Sequence, residues 1–426
     1  MNTSGSPPAV PAPGPLDRQV RWRLVAPITL LLLLSSLDRV NISFAALGMN
    51  QALGLSAAQY GFGSGVLFVG FLAGQYPSVL LLQRLGMRRW LSGCAVVWAL
   101  AAGGLAWVHS APQFYLLRVL VGLAEAGLAP GVVLYLSQFT TERQRAATFG
   151  IPMIAIPLSV ALGSPLSGWL MSAATPAGLA PWRWMLIAEA APTLLLGIVA
   201  RFYFPDAPRT APWLSADQAR QLDLAAAADL HAPAANDWRV LAAPKVWIAA
   251  ALWFCLLSGS YGIIFWLPQV IRALHRLDTL QIGWINALPW LGAALGMYFN
   301  SLHSDRSGER HGHVAIPALI GACATLLAWQ GGGAAALGAL VLLGLGLGAA
   351  QGAFWALPTA ILNRRTLAVA AVAINICGSA GGLVMPHLIG IVMQRHPGPQ
   401  GPSLLIAGVL AMAAVLVMVM RRQART

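Results

Sequence analysis

Four charged residues lie inside apolar stretches of a chain that otherwise keeps its charges outside them. Asp38 and Arg39 are adjacent in one stretch, and Arg118 and Glu125 lie in another. An ionised side chain at the centre of a bilayer costs about 2.5 to 3.5 kcal/mol on insertion scales, so these groups are expected to face a polar cavity. Their charges sum to zero when all four are ionised. Protonation of both acids would leave two guanidinium groups that attract an anion strongly in a low dielectric.

The two arginines are suited to hold a carboxylate. A planar guanidinium stays charged and offers two parallel N–H donors to the two carboxylate oxygens, so a small organic acid is the expected ligand. Arg118 and Glu125 are two helical turns apart, about 10.5 Å, and share a face without direct contact. Adjacent Asp38 and Arg39 diverge by about 100° and are expected to address different partners. The alternative is a structural network that holds the two helices together.

The composition is that of an integral membrane protein. Hydrophobic residues make up 58% of the 426 positions and charged residues 9%, whereas soluble domains are about one-quarter charged. Helices of about 20 residues cross a hydrocarbon core of about 30 Å with their backbone hydrogen bonds satisfied. The sequence therefore predicts an all-α membrane protein with twelve transmembrane helices in two six-helix repeats. The predicted spans are 24–47, 57–82, 90–108, 112–138, 147–172, 183–204, 246–270, 280–302, 314–330, 334–362, 367–394 and 402–420.

Basic residues are concentrated in alternate loops. This distribution explains the net charge of +13 by membrane topology, because the basic residues do not form one patch with stacking aromatics as in nucleic-acid binding. Both termini are predicted to be cytoplasmic, in a multi-pass protein of the cell (inner) membrane. The expected partners are the lipid bilayer and a small organic carboxylate, with no nucleic acid, and the expected state is a monomer.

The loops and tails divide the chain into five parts. The predicted parts are an N-terminal tail at 1–23, a six-helix bundle at 24–204, a linker at 205–245, a second bundle at 246–420 and a tail at 421–426. The linker is rich in acidic residues and prolines. Within it, Ser215 and Gln218 have the spacing of a helix start, so a short helix near 215–230 is predicted.

An internal repeat supports the two halves. The spacing R-x-G-x-R occurs after the second predicted span and again after the eighth, at equivalent loops. The residues concerned, which we predict to be gating loops, are Arg84, Gly86, Arg88, Asp305, Arg306, Gly308 and Arg310. These loops resemble the signature loop of the major facilitator superfamily, although Gln83 stands at the acidic position of the first copy. The alternative is a pair of ordinary basic turns.

Two further stretches resemble the anion:cation symporter family of that superfamily. Residues 36–45 (SLDRVNISFA) are similar to its first-helix motif, and residues 117–127 (LRVLVGLAEAG) to its fourth helix. The segment 301–317 is similar to members that carry aromatic or hydroxy acids. The resemblance implies a fold of two helical bundles and transport of organic anions of the tartrate, phthalate or 4-hydroxyphenylacetate type.

The same resemblance implies residue roles. It assigns proton coupling to Asp38 and Glu125, and substrate-carboxylate binding to Arg39 and Arg118. Asn375 matches an N-x-x-G motif in the family's eleventh helix, where it would bind substrate; a helix-packing amide is the alternative. The proton would be the coupling ion, and no other cofactor is expected.

Other candidates come from single residues. Among the aromatics of the seventh span, Tyr261 beside two glycines is the best candidate to contact substrate, although packing or an interfacial belt is the alternative for such residues. Glu189 lies about two turns from the end of the sixth span and could reach water, cap a neighbour or serve transport. The histidines near the second loop have no nearby cysteine and the four cysteines are scattered, so no metal site is predicted.

The sequence as a whole favours a proton-coupled importer of a small organic carboxylate that works by alternating access. An anion exchanger of the same fold is the first alternative, because residues 163–168 (GSPLSG) loosely resemble an antiporter motif. A drug efflux carrier is the second, and the paired arginines count against it. An enzyme is not expected, since no nucleophile, base or metal cluster is visible.

Overall fold

The computed structural model describes residues 15–140, 142–230, 238–274, 277–330, 333–362 and 364–423. Every regular element in this part of the chain is helical. Most of the predicted N-terminal tail and the last three residues lie outside the described residues. The predicted fold class, an all-α membrane protein, is confirmed.

Twelve spans follow one another, and we number them in chain order. The N-terminal half contains span 1 (Ala26–Val40 and Ile42–Leu53), spans 2 and 3 (Ala57–Gly65 and Leu67–Gly104), span 4 (Ala111–Glu125 and Leu128–Ser137), span 5 (Glu142–Ser172) and span 6 (Pro181–Tyr203). The C-terminal half contains span 7 (Pro244–Leu274), span 8 (Thr279–Ser307), span 9 (Gly312–Gln330), span 10 (Gly333–Phe354 and Ala356–Ile361), span 11 (Arg364–Arg395) and span 12 (Gln400–Gln423).

Length and hydropathy agree with this assignment. Within the described residues, nine helical segments are long and apolar enough to cross a bilayer, and one of them, 57–107, contains both span 2 and span 3. Spans 5 and 8 are helices of 31 and 29 residues, which is long enough to cross at 1.5 Å per residue. Spans 2 and 3 are two helices, because the backbone between them leaves the helical conformation at Gly86, which has a φ of 76°.

The predicted helix of the linker is present at Ala216–Leu230. It begins as expected, because the Ser215 hydroxyl accepts a hydrogen bond from the Gln218 backbone N–H and the Gln218 side chain accepts one from the Ser215 N–H.

Two spans are interrupted at the level of the charged residues. Asn41 separates the two helices of span 1, three residues after Asp38. Span 4 is interrupted directly after Glu125, and Pro130 supplies the reason, since it has no N–H to donate to the carbonyl of Ala126.

Glycines bring spans 2 and 4 into backbone contact. A Cβ at Gly122 would lie 1.9 Å from the Leu67 carbonyl oxygen, and a Cβ at Gly70 would lie 2.0 Å from that of Val119. Neither position has room for a side chain. This close approach brings the Arg118 side chain to the backbone of span 2.

The halves meet on one side of the membrane. We call the side where span 1 begins and span 12 ends the terminal side, and the opposite side the distal side. On the distal side, Asn50 donates to Gln269 at 3.2 Å and the Tyr60 hydroxyl donates to the Phe265 carbonyl at 2.7 Å. The Gly61 backbone also packs against that of Pro386. Spans 1, 2 and 5 thus meet spans 7, 8 and 11 at the distal junction of the two halves.

Candidate functional site

Arg39 and Glu125 form an ion pair at the centre of the molecule. Arg39 donates to the same carboxylate oxygen of Glu125 through Nη2 at 2.7 Å and through Nε at 3.2 Å. The Glu125 side chain is fully buried, whereas one-fifth of the Arg39 side chain is exposed. Arg39 is thus accessible while its carboxylate partner is not.

The second half of the molecule reaches this pair through Tyr261. Arg39 Nη1 lies 3.4 Å from the Tyr261 hydroxyl, and the Arg39 guanidinium also lies 5.5 Å from the centre of the Phe71 ring. Tyr261 itself packs edge-on against Phe68 of span 2 at 4.5 Å. A span 1 arginine, a span 4 acid and a span 7 tyrosine therefore meet where the halves meet. Sequence reasoning singled out all three residues but did not connect them.

Arg118 has a different environment from Arg39. Its side chain is fully buried, and it donates to the carbonyls of Gly63 at 3.4 Å and Ser64 at 3.0 Å. These carbonyls lie at the end of the first helix of span 2, just before Val66, which separates it from the next helix. The Nη1 atom of Arg118 has no hydrogen-bond partner among the described residues. In this conformation Arg118 holds span 2 against span 4 and does not reach the accessible space beside Arg39.

Asp38 faces away from Arg39, as the 100° divergence predicts. The Asp38 carboxylate is buried and accepts a hydrogen bond from the Thr193 hydroxyl of span 6 at 3.0 Å. The Asn41 amide lies 3.5 Å from its other oxygen. No cation pairs with Asp38 among the described residues, because Arg39 is bound to Glu125.

Glu189 belongs to the same buried region as Asp38. It lies one turn before Thr193 on span 6, is 2% exposed, and accepts a hydrogen bond from the Ser167 hydroxyl at 2.6 Å. It is close enough to Asp38 and Asn41 to interact with both. Of the sequence alternatives for Glu189, contact with water does not apply in this conformation. Its i, i+4 spacing to Thr193 in an apolar helix is the sequence signal that could have linked it to Asp38.

The C-terminal half contributes neutral polar and aromatic groups. Asn375 is half-buried on span 11 and takes no part in the hydrogen bonds of the Arg39–Glu125 pair. Sequence reasoning missed Gln351 of span 10, which donates to the Ser260 hydroxyl of span 7. Trp253 stacks on Phe354 with ring centres 4.5 Å apart.

The predicted gating loops lie on the terminal side, and the bonds described for them do not join the two halves. In the first loop the Arg88 N–H donates to Asp206 at 2.9 Å, and a Cβ at Gly86 would lie 2.8 Å from the same carboxylate oxygen. In the second loop Arg310 pairs with Asp305 at 2.5 Å, and Gly308 has a φ of 68°. Asp206 thus supplies a carboxylate at the loop where Gln83 replaces the family's acid. The remaining loop arginines, Arg84 and Arg306, are exposed.

The histidines of the second loop form a short chain with Glu309. His303 Nδ1 lies 2.6 Å from His313 Nε2, and His313 Nδ1 lies 2.9 Å from Glu309. Partial burial would raise the pKa of Glu309, but hydrogen bonds from the Gly312 and His313 backbone N–H groups and the His313 ring hold it below its usual range. No group of three ligands suited to a metal ion occurs in the described part of the chain.

Two six-helix halves that enclose a charged site at their junction define a multi-pass membrane carrier. Comparison with known proteins gives the family. The model of the Major Facilitator Superfamily matches residues 28–386, and the chain belongs to that superfamily. It is a membrane transporter, and the resemblance found in its motifs is confirmed.

The relatives agree with this assignment. The chain is 38% identical over 416 residues to a protein of Agrobacterium vitis that is named as a tartrate transporter, covering 96% of this chain and 95% of the relative. It is 29% identical to a quinolone resistance transporter of Acinetobacter baumannii, covering 94% of this chain and 93% of the relative.

A solved structure shares the fold. It is a bacterial homologue of the human lysosomal transporter Spinster in an inward-facing, occupied conformation. It matches with a TM-score of 0.78 at 18% identity, covering 95% of this chain and 97% of that one.

Proposed function

We propose that this transporter imports a small organic carboxylate together with protons, and that Arg39 binds the substrate carboxylate. The observation that carries the proposal is the Arg39–Glu125 pair, in which a partly exposed guanidinium holds a fully buried carboxylate. A guanidinium that already binds one carboxylate in this geometry presents the donors that another carboxylate needs.

Competition for Arg39 couples the proton to the substrate. While Glu125 is ionised, it occupies the Nε and Nη2 donors of Arg39. Protonation of Glu125 removes its charge, and the freed guanidinium then binds the substrate carboxylate through two hydrogen bonds. When Glu125 loses its proton it competes for Arg39 again and displaces the substrate. The conformation described here, with Glu125 on Arg39, corresponds to the state after release.

The C-terminal half supports recognition of the rest of the substrate. Tyr261 lies beside Arg39, and Asn375 and Gln351 are partly buried polar groups on spans 11 and 10. Amide and hydroxyl groups there can bond to substrate hydroxyl groups without adding charge. The name of the A. vitis relative points to a hydroxy dicarboxylate, so tartrate-like acids are the first substrates to test.

The contacts between the halves support a direction of opening. The described hydrogen bonds Asn50–Gln269 and Tyr60–Phe265 close the distal side, while the bonds described for the gating loops on the terminal side do not join the two halves. The excess of basic residues assigns the terminal side, with both termini, to the cytoplasm of a cell (inner) membrane. This conformation is then inward-facing, and transport requires the distal junction to open in turn.

Drug efflux is the second candidate, because one relative is named as a quinolone resistance transporter. A carrier for cationic or neutral drugs would use an acidic and aromatic cavity. Here the accessible charged group at the junction is an arginine. The chemistry of the site therefore favours the organic anion.

Uptake into proteoliposomes tests the proposal. A panel of radiolabelled carboxylates, with tartrate first, would be offered with and without an inward proton gradient, and a protonophore would serve as control. We expect gradient-driven accumulation of one acid, abolished by the protonophore. Exchange against preloaded acid without net accumulation would assign an anion exchanger instead. Failure to move any carboxylate, with proton-driven drug transport, would assign efflux.

A further inference from the structure

We propose that Glu189 is a proton-binding residue of this transporter, and that it passes the coupling proton between the distal side and Asp38. The inference rests on the proposed proton-coupled function and adds a carboxyl group on span 6 to it. It is carried by a chain of polar groups that runs through spans 1, 5 and 6, separate from the Arg39–Glu125 pair.

The charges of the buried site do not balance without a retained proton. Asp38, Glu125 and Glu189 are three buried acids, whereas Arg39 and Arg118 are the two basic residues around them. Both arginines are already engaged, one by Glu125 and the other by backbone carbonyls. Asp38 and Glu189 are left as neighbouring acids without a cation among the described residues. Two such carboxyl groups cannot both ionise at low cost, so the pair retains a proton that can be exchanged.

Hydrogen-bonding groups connect the two acids. Thr193 donates to Asp38 and lies one turn from Glu189 on the same face of span 6. The Asn41 amide lies between the two carboxyl groups, 3.5 Å from Asp38 and within reach of Glu189. The other polar or titratable groups that face this pair are Ser167 from span 5, Trp98 from span 3 and Glu125 from span 4.

The distance from Glu189 to the distal end of span 6 is short, and a small cavity lies beside the polar groups. Glu189 is eight residues from Pro181, where span 6 begins on the distal side, or about 12 Å along the helix. A cavity of about 10 Å³ beside Asn41, Ser164 and Ser167 has room for the centre of one water molecule. The Oε2 atom of Glu189 and the Oδ1 atom of Asn41 are buried without a hydrogen-bond partner among the described residues.

This arrangement gives Glu189 a defined step in transport. A proton that enters from the distal side binds a Glu189 oxygen, and the carboxyl group passes it to Asp38 through the Thr193 hydroxyl or one water molecule, each of which accepts one proton and gives up another. No covalent bond is made or broken apart from O–H bonds, and no second reactant is needed. Because the path avoids Arg39, proton entry and carboxylate binding can use different sides of span 1.

Glu189→Gln in proteoliposomes tests the inference. The amide keeps the size of the carboxyl group and accepts the Ser167 hydrogen bond, but it cannot carry the proton. We expect proton-driven accumulation to slow by roughly tenfold or more, with half-maximal uptake at lower pH, because Asp38 loses a neighbouring negative charge. Exchange of labelled for unlabelled substrate without a gradient should stay within about twofold of the wild type, since substrate binding on Arg39 is untouched.

Controls separate the possible failures. Glu189→Asp should restore part of the proton-driven rate. Thr193→Val tests the link to Asp38, and Thr325→Val is the variant with which it is compared. Thr325 is a matched control because, within the described part of the chain, its buried hydroxyl bonds only to its own helix at Gly321. If Glu189→Gln does not fold, Thr193→Val carries the test. We expect a slower proton-driven rate in Thr193→Val than in Thr325→Val, and equal rates in the two variants would overturn the relay. A folded Glu189→Gln with the wild-type rate and pH profile would overturn the inference alone. A wild type without proton coupling would overturn the proposed function as well.

Discussion

Arg39 and Arg118 are the same residue type in opposite surroundings. Arg39 is partly exposed and bound to a carboxylate, whereas Arg118 is fully buried and bound to the backbone of span 2. The first arrangement suits reversible binding, because one carboxylate can replace another at the same donors. The second suits a fixed role, since loss of a buried charge's partners is costly. The predicted substrate role of Arg118 remains a prediction for a conformation other than this one.

At this scale the substitution Arg39→Lys is the direct test of substrate binding. An ammonium group is a point charge and cannot form the two parallel hydrogen bonds of a guanidinium. We expect carboxylate uptake to fall by about 100-fold, the value for the loss of one or two charge-assisted hydrogen bonds of about 1.5 to 3 kcal/mol each. The measurement is initial uptake in proteoliposomes with equal amounts of reconstituted protein.

The matched control is Arg183→Lys. Arg183 is also partly buried, but it donates to the Ala106 and Val108 carbonyls near the distal side and is distant from the pair. Uptake by this variant should be within a few-fold of the wild type. Uptake by Arg39→Lys equal to that of Arg183→Lys would remove Arg39 from the binding site.

At the scale of the helices, the packing of span 4 against span 2 determines where the charged residues of span 4 lie. Span 4 comes so close to span 2 that Gly122 nearly touches the Leu67 carbonyl, and this distance sets where Arg118 and Glu125 lie. The first helix of span 4 ends directly after Glu125, and the second begins at Leu128. Small residues at such a contact let membrane helices approach closely, and the Arg118 hydrogen bonds to span 2 add to this packing.

The substitution Gly122→Ala tests this packing. Its Cβ would lie 1.9 Å from a backbone carbonyl oxygen, so spans 2 and 4 must separate. We expect a loss of roughly 1 to 3 kcal/mol in stability, measured as a lower melting temperature in detergent. Gly93→Ala is the control, because nothing lies within 4 Å of its Cβ and the variant should melt at or slightly above the wild-type temperature. Equal melting of the two variants would contradict the close packing.

The start of span 9 provides a pH-dependent prediction. The single Gly312 N–H donates to both carboxylate oxygens of Glu309, at 2.8 and 2.9 Å, and the pKa of Glu309 is held below the usual range despite partial burial. A carboxyl group with a lowered pKa contributes stability above its unfolded-state pKa, and this contribution is lost as the pH falls through the folded-state value.

Glu309→Gln should therefore lower the melting temperature at pH 7, and the difference from the wild type should shrink as the pH approaches about 4. Melting curves of both proteins between these pH values give the measurement. Because Glu309 is partly exposed, we expect a shift of a few degrees only. A difference that grows towards acid pH would show that the carboxylate is not stabilising.

The whole molecule is closed on the distal side, where the halves exchange hydrogen bonds. Asn50 of span 1 and Gln269 of span 7 are 3.2 Å apart at their side-chain atoms, and Arg272 donates to the Leu47 carbonyl at 2.7 Å. Alternating access requires these contacts to break during each cycle. A covalent link across the junction should therefore stop transport.

Cysteines at positions 50 and 269 test this closure. In a background without the four native cysteines, the double variant should react efficiently with a short bifunctional maleimide. Cross-linked protein should lose both uptake and exchange by about tenfold or more, while each single-cysteine variant treated in the same way stays active. Rapid transport by cross-linked protein would show that the distal junction does not have to open.

The sequence by itself determined the class of protein. Apolar stretches of membrane-spanning length, alternate basic loops and the repeated R-x-G-x-R spacing predicted twelve helices in two halves, because the bilayer imposes length, hydropathy and charge rules that can be read locally. The charged residues within these stretches were visible for the same reason. Their divergence along a helix also followed from the 3.6-residue repeat.

The tertiary structure alone decided the partners. No local pattern shows that Arg39 binds Glu125, that Arg118 binds backbone carbonyls, or that Asp38 and Glu189 share one buried region. These contacts join spans that are far apart in sequence, and small differences in helix packing select between them. The physical reason is that the pairing of buried charges depends on which helices meet in three dimensions, whereas membrane topology depends on each helix separately.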